Sequence, residues 1–505
     1  MTLSKNAIYL LQQRYCRNGE TPEGVLKRVA ETLADKDPKF EERLYEAMVN
    51  GVFLPNSPCL FNAGLPKGNL HACYILKVED DLDSIFSAMH HMAMIFKSGG
   101  GVGINFSPLR EKGASISQGG TSSGTLSFMG DFDQIVESVK QGGKRRGALI
   151  GILNHNHPDI FDFIKIKLTG KLQNFNLSIL VTDEFMEQIE TDKKISLKSP
   201  KGNIIKTIKA KDIFELACFA SWCNGDPALL FFDRINKDNP YYPEVIIDTC
   251  NPCSEVAMPH YAACCLGSLN VSKFVWKNDF NFDRFEDNCR MGMRALTTMN
   301  KISHYPLPQI VEAMAKYNPV GLGIMGFADC LIKLGIKYDS KECLEFIDKL
   351  GKSFKQVTDD YNKDQFYFYK RIIAPTGSLS LLADCSSGIE PVYDTTFERR
   401  LTVGVVEETR ELYKSEHVRT AHQVDPEWHV KVLAKWQKWV NGGVSKTVNL
   451  TNDASVDDIK NIYKMAWKLG CKGVTVYRDG CRDEQVLYGK QRSFAGKCSD
   501  ETCTL

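Results

Sequence analysis

Cys250-Asn251-Pro252-Cys253-Ser254-Glu255 places two thiols, an amide and a carboxyl in one short stretch, and Cys264-Cys265-Leu266-Gly267-Ser268 follows soon after. Two chemistries compete for such a cluster. Cys250, Cys253, Cys264 and Cys265 could supply four thiolates to zinc. Against this, adjacent cysteines rarely both ligate one structural zinc, and no knuckle glycine follows Cys253. The other chemistry is redox or radical. On an extended segment residues two apart share a face, so Cys253 and Glu255 would offer one substrate a hydrogen-atom acceptor and a general base.

Three glycine-rich stretches could approach a nucleotide. Ser98-Gly99-Gly100-Gly101-Val102-Gly103 lacks the dinucleotide spacing, because Ile104 stands where the last glycine belongs, and it precedes a strand instead of following one. No phosphate-loop motif with its lysine is present. Gln141-Gly142-Gly143-Lys144-Arg145-Arg146-Gly147 joins a closely approachable backbone to cations that suit a phosphate or base edge, or else forms a solvated basic turn. Ala374-Pro375-Thr376-Gly377-Ser378-Leu379-Ser380 clusters hydroxyls after Ile372-Ile373, as an anion site at a helix start or a plain N-cap.

The elements that must carry these groups read as α/β. Apolar spacing predicts helices over Ala7–Tyr15 and Val25–Leu33, the second opened by Thr21-Pro22-Glu23-Gly24. From about Leu60 to Tyr477, strand candidates (Ala72–Val78, Val102–Phe106, Ala148–Leu153, Gly473–Tyr477) alternate with helix candidates (Leu82–Phe96, Phe132–Lys140, Phe214–Trp222, Leu433–Val440). This predicts one large domain with a buried sheet. After Tyr477 the pattern dissolves, and Arg482–Leu505 reads as a flexible tail carrying Cys498 and Cys503. The predicted boundaries are 1–60 for a helical region, 61–482 for the catalytic domain and 483–505 for the tail.

Among the 505 residues, 63 Lys+Arg balance 62 Asp+Glu, which argues against a general nucleic-acid binder. No apolar run is long enough to span a bilayer, and Met1-Thr2-Leu3-Ser4-Lys5-Asn6 lacks a signal-peptide core, so a cytoplasmic protein is expected. Most of the 17 cysteines should then be reduced.

Asn251-x-Cys253-x-Glu255 resembles the active-site loop of ribonucleotide reductase catalytic subunits. Leu54-Pro55-Asn56-Ser57-Pro58, Cys73, Gln141–Gly147, Cys264-x-Leu266-Gly267-Ser268-Leu269-Asn270, Asn318–Gly326, Pro375–Ser380 and Gly473–Arg478 resemble its other signatures, in the family's order. The resemblance implies a ten-stranded α/β barrel with the active-site finger loop at its centre, after a short helical N-terminal region. It implies that Cys253 becomes a thiyl radical that takes the ribose 3′-hydrogen, that Glu255 accepts the 3′-hydroxyl proton and that Asn251 bonds the sugar. Cys73 and Cys264 would supply two electrons, and Cys498 and Cys503 would re-reduce their disulfide by exchange with thioredoxin or glutaredoxin. Ser57, the backbone at Ala72–Cys73, Pro375, Thr376, Gly377, Ser378, Leu379 and Ser380 match phosphate-binding positions. Asp80, Gln141, Lys144, Arg145 and Arg146 match positions that bind a deoxynucleotide or ATP specificity effector, with Gly113–Gly124 as the companion loop.

The same resemblance bears on the radical source. The tail lacks a glycyl-radical motif and zinc-type cysteines. Val474-Thr475-Val476-Tyr477-Arg478 has one tyrosine where the metal-subunit type has two adjacent ones. With Pro55–Pro58 and Thr21–Glu23, this looks most like the adenosylcobalamin-dependent type; the alternative is a dimetal centre in a partner subunit. A homodimer is expected, as is the absence of an ATP-cone switch. The non-enzyme alternative is a thiol-rich nucleotide- or zinc-binding protein.

Overall fold

The computed structural model describes residues 3–117, 119–139, 147–482 and 485–489. The chain begins with helices over Lys5–Leu10, Pro22–Ala34 and Pro38–Val49, with a π-helical turn over Leu11–Tyr15. Thr21 caps the second by accepting from the Gly24 N–H, and Pro22 sits where its missing donor costs nothing. That helix buries Val25, Leu26, Val29, Ala30 and Leu33 along one face, as the spacing predicts. Within the expected helical stretch 1–60, Phe53–Pro55 is a strand instead, because it pairs with a distant partner.

Ten strands form the main sheet: β1 (Phe53–Pro55), β2 (Cys73–Leu76), β3 (Gly101–Asn105), β4 (Leu149–Asn154), β5 (Phe175–Val181), β6 (Ala228–Phe231), β7 (Ala263–Asn270), β8 (Val320–Met325), β9 (Thr447–Leu450) and β10 (Gly473–Arg478). Strands β2 to β6 run parallel in sequence order. β10 then joins β6 antiparallel and β9 pairs with β10 in parallel. On the other side β7 joins β2 antiparallel and β8 pairs with β7 in parallel.

Between β8 and β9 the path is completed by irregular chain. Leu322 bridges Arg371 and Ile373 bridges Val444, both in parallel, and residues 443–445 lead directly into β9. The hydrogen-bonded path therefore returns to its start. β1 is an added strand on β7, and residues 369–373 take the tenth place in the ring.

Side chains alternate across this ring with period two. Tyr74, Val102, Ile104, Leu149, Leu153, Leu177, Ile179, Val448 and Val476 face the large outer core under the helices. Cys73, Ile75, Ile150, Ile152, Leu180, Leu230, Cys264 and Leu266 form a second core, shared with Cys250, Val256, Ala257 and Tyr369. The helix candidates are present with shifted edges: that at Phe132–Lys140 overlaps the helix Thr125–Ser138, and that at Leu433–Val440 overlaps Pro426–Gln437. A separate three-stranded antiparallel sheet joins Thr396–Leu401 to Gly404–Thr409 and Leu487–Gly489. No helix among the described residues is long and apolar enough to cross a membrane.

Candidate active site

The Cys250–Ala257 segment runs through the inner core as a narrow loop. Cys250 and Ala257 bridge antiparallel at its base, and Asn251 N–H donates to the Val256 carbonyl at 2.9 Å. Ser254, with φ 67°, makes the reversal, and its N–H donates to the Asn251 carbonyl at 2.8 Å. That left-handed conformation carries a modest cost for a serine.

The ring is shaped to admit this loop. A Cβ on Gly103 would lie 1.8 Å from the Cys250 carbonyl oxygen, so a side chain there and the loop exclude each other. Gly101, also facing inward, lies against Pro252. Asn176 Nδ2 donates to the Pro252 carbonyl at 2.8 Å, and Asn105 Nδ2 to the Asp248 carbonyl at 2.9 Å. From the opposite side Gly443 N–H donates to the Glu255 carbonyl at 2.8 Å, and Tyr369 Oη donates to Ala257 O at 2.7 Å. The loop is thus pinned from both halves of the ring. Of the glycine-rich run after Ser98, Gly101 and Gly103 serve loop passage, while Gly100 lies against Tyr74 and Ile95.

Cys73 on β2 and Cys264 on β7 are directly opposed residues of an antiparallel pair, both buried. Opposed residues have Cα atoms roughly 4.5–5.5 Å apart, within the range a disulfide spans. Asn251 Nδ2 donates to Cys73 Sγ at 3.0 Å, while its Oδ1 accepts from Val256 N–H at 2.9 Å. The amide is therefore oriented by the protein, and its side chain also bonds the Glu255 carboxyl, which opposes the upward shift of that group. Desolvation, with neighbouring Cys265, Cys73 and Glu255, raises the Cys264 thiol well above the ordinary range. Glu255 is 1% exposed, its Oε2 accepts no hydrogen bond among the described residues, and burial pushes its pKa up to about 7.

Cys253 differs from these neighbours. Its thiol is exposed, at the wall of a cavity of about 500 Å³ also lined by Asn176, Ser178, Pro375, Gly377, Arg399 and Tyr477. A thiyl radical needs water kept away, and the protein alone leaves this residue open, so whatever binds in the cavity must complete the exclusion.

The hydroxyl cluster adjoins this cavity. Thr376, in the left-handed region, precedes the short helix Gly377–Leu382, and its Oγ1 accepts from the Gly388 N–H at 2.8 Å. Ser378 Oγ accepts from Arg14 at 2.8 Å, and Ser380 Oγ lies 2.9 Å from Ser387 Oγ; Leu379 is buried. Ser57 begins another short helix, capped by Asn56, and its Oγ meets Tyr15 Oη at 2.8 Å. Arg14 and Tyr15 thus join the two helix starts. Sequence reasoning missed both, because they read as ordinary residues of an amphipathic helix. It also missed Arg399, which sits on the cavity wall, donates to the Gly377 carbonyl at 3.1 Å and is ion-paired with Glu408 at 2.6 Å. Ala72 N–H donates to Cys264 O at 3.4 Å, which places that backbone beside the thiol pair.

The remaining candidates lie elsewhere. Asp80 does not line the cavity; it binds Arg110 through both oxygens, at 3.0 and 2.8 Å. Arg110 Nη1 also donates to the Ser115 carbonyl at 3.3 Å, at the edge of the 113–124 loop. Gln141, Lys144, Arg145, Arg146, Cys498 and Cys503 lie outside the described residues. Cys250 and Cys265 are buried apart from the cavity, and no zinc-like cluster occurs among the described residues.

Residues 71–358 and 403–477 match the family model "Ribonucleotide reductase, barrel domain", and residues 1–68 match "Ribonucleotide reductase, all-alpha domain". A Vitamin B12-dependent ribonucleoside-diphosphate reductase of Thermoplasma acidophilum is 39% identical over 89% of this chain, which spans 66% of that protein. One of the same description from Mycobacterium tuberculosis is 33% identical over 100% of this chain and is covered for 84% of its length. A Vitamin B12-dependent ribonucleotide reductase of Streptomyces avermitilis is 27% identical over 90% of the chain, with 61% of its own length covered.

Proposed function

This chain belongs to the ribonucleotide reductase family, and from that premise we propose that it reduces ribonucleoside diphosphates to 2′-deoxyribonucleotides with adenosylcobalamin as radical source. The observation that carries the reading is the grouping on one loop: an exposed Cys253 thiol at a nucleotide-sized cavity, a buried Glu255, and an Asn251 amide on the Cys73–Cys264 pair.

Two features fit the cofactor. The Cys253 sulfur is open to the cavity, so an oxidant bound outside the ring has a route to it. In β10 the cavity wall holds Tyr477, while the neighbouring Val476 side chain faces the outer core, so no tyrosine pair spans the strand. Adenosylcobalamin, when bound, supplies the one-electron oxidation that removes the hydrogen atom of Cys253. The cavity beside Cys253 and Tyr477 would receive its reactive end.

The protein's own residues do the rest. The Cys253 thiyl takes the ribose 3′-hydrogen, and Glu255 accepts the 3′-hydroxyl proton. The 2′-hydroxyl takes one proton from the Cys73–Cys264 pair and leaves as water. The pair's other proton and two electrons form the C2′–H bond and leave a disulfide. Glu255 then returns its proton to the 3′-oxygen, and Cys253 returns its hydrogen atom to C3′. Asn251 holds Cys73 and, with substrate bound, turns an amide proton to the sugar. The backbone and hydroxyls of Pro375–Ser380 and Ser57 receive the phosphates. Cys498 and Cys503 re-reduce the pair by thiol–disulfide exchange with a thioredoxin or glutaredoxin as the external reductant. A deoxynucleotide or ATP effector sits near Asp80 and Gln141–Arg146. A homodimer fits the exposed Leu82 and Phe86, at 61% and 57%, on the helix that follows Asp80.

The test is purified protein with a ribonucleoside diphosphate and a dithiol, with and without adenosylcobalamin and with no second subunit. Deoxynucleotide should form only with the cofactor; none in either tube removes the proposal.

A further inference from the structure

We infer that Lys472, paired with Asp238, is a positioning residue that fixes the Asn441–Gly443 turn against the returning limb of the Cys250–Ala257 loop and so keeps Glu255 in place. This rests on the reading of Glu255 as the base.

Lys472 directly precedes β10 and its side chain is 6% exposed. Its ammonium meets Asp238 Oδ2 at 3.0 Å, Asn441 O at 2.7 Å and Gly442 O at 3.0 Å. Three partners use its three protons. A buried ammonium is a costly way to fill space, so its partners indicate what it is there to hold.

Each partner leads to the loop. Asp238 follows the helix Phe232–Lys237 and opens the segment that runs into Cys250. Asn441 and Gly442 form a turn with Gly443, whose N–H donates to the Glu255 carbonyl at 2.8 Å. A Cβ on Gly443 would lie 2.6 Å from that oxygen, so the turn and Glu255 are in close contact. Gln437 Nε2 donates to Gly442 O at 2.9 Å, and Arg371 N–H to Asn441 Oδ1 at 3.0 Å, which fixes the turn from behind. The ammonium also lies 5.7 Å from the ring centre of Tyr369, whose hydroxyl holds Ala257 O.

One cation therefore ties Asp238, upstream of the loop, to two contacts on the loop's returning limb, at Glu255 through Gly443 and at Ala257 beside Tyr369. Burial lowers the Lys472 pKa while Asp238 opposes that shift. Glu255 itself is faced by Asn251, Cys250 and Cys264.

The test uses the full chain carrying Lys472→Met or Asp238→Asn. Amide exchange of residues 250–257 and the pH profile of kcat are measured beside wild type. Lys472→Met is expected to speed exchange in that segment about 10-fold or more, leaving β3 and β4 protected. It should lower kcat about 10- to 100-fold with KM changed less than about 2-fold. Water reaching a loosened Glu255 should move the acidic limb to lower pH. Asp238→Asn retains the ammonium and alters a carboxylate 44% exposed, so it should fold even where Lys472→Met does not, with smaller changes of the same sign. Loop exchange and pH midpoint both unmoved in a folded variant overturn the inference, as does exchange that rises equally in β3 and β4. A wild type without reductase activity whose variants still loosen the loop removes the proposed reaction and leaves the positioning role standing.

Discussion

At the scale of single residues, Glu255 sets the pH behaviour. Its carboxyl, shifted to about 7 by burial, is the basic form only above that pH, so kcat should rise through a limb near 7. Linkage gives the matching effect on stability. The folded protein holds this proton more tightly than the unfolded chain, so the site's contribution falls as pH rises from about 4.5 to about 7. Glu255→Gln should therefore raise Tm at pH 8, by up to about 3 kcal/mol of stability, while lowering kcat about 100-fold or more. Calorimetry at pH 5 and pH 8 checks it: a gain of equal size at both values contradicts the assignment. Cys253→Ser should abolish turnover and leave nucleotide affinity within about 2-fold, since the loop backbone stays pinned; equilibrium dialysis beside the assay reads both. Spacing predicted Cys253 and Glu255 on one face of an extended segment; the chain instead reverses at Ser254, which separates an exposed Cys253 from a buried Glu255. That separation was not legible in the sequence, because it depends on which side of the reversal meets the cavity.

At the scale of elements, the inward glycines of β3 decide whether the loop fits. Gly103→Ala puts a methyl into the Cys250 carbonyl, and no rotamer relieves a Cβ clash. The expected outcome is a loss of about 1–3 kcal/mol, or a displaced loop, with loss of activity in either case. Gly130→Ala, in open space on the helix Thr125–Ser138, is a control for expression. Denaturation midpoints and the assay measure both. The strands β2, β4 and β10 were readable as short apolar or β-branched runs, and β2 and β4 read as such because both of their faces meet apolar cores. The ring's tenth place at residues 369–373 was not, since Phe368–Ile373 makes only isolated bridges and shows no period. Nor was the sheet over Thr396–Thr409, whose inward Arg399 and Glu408 look like surface residues until their pairing at 2.6 Å is seen. Arg14 was hidden similarly: its partner Ser378 is far along the chain.

At the scale of the whole molecule, the proposed reaction needs more than the ring. Cys498→Ser or Cys503→Ser should stop turnover driven by thioredoxin while sparing a single turnover of pre-reduced protein; rapid-quench counting of product per site separates the two. Phe86→Asp, placing a charge on the exposed face beside Asp80, should yield monomers by light scattering and weaken effector control of substrate choice. An unchanged dimer would move the interface elsewhere.

The route by which the ring closes has a consequence for assembly. The segment at 250–257 is made before the two stretches, 369–373 and 443–445, that seal the wall around it. A chain emerging from the ribosome therefore lays its reactive strip against an open trough, formed by the five parallel strands already synthesised, and is fenced in only when the later stretches arrive. No threading through a finished hoop is required. A polypeptide stopped before residue 369 should accordingly leave that strip open along one flank to proteases, where the full-length protein guards it.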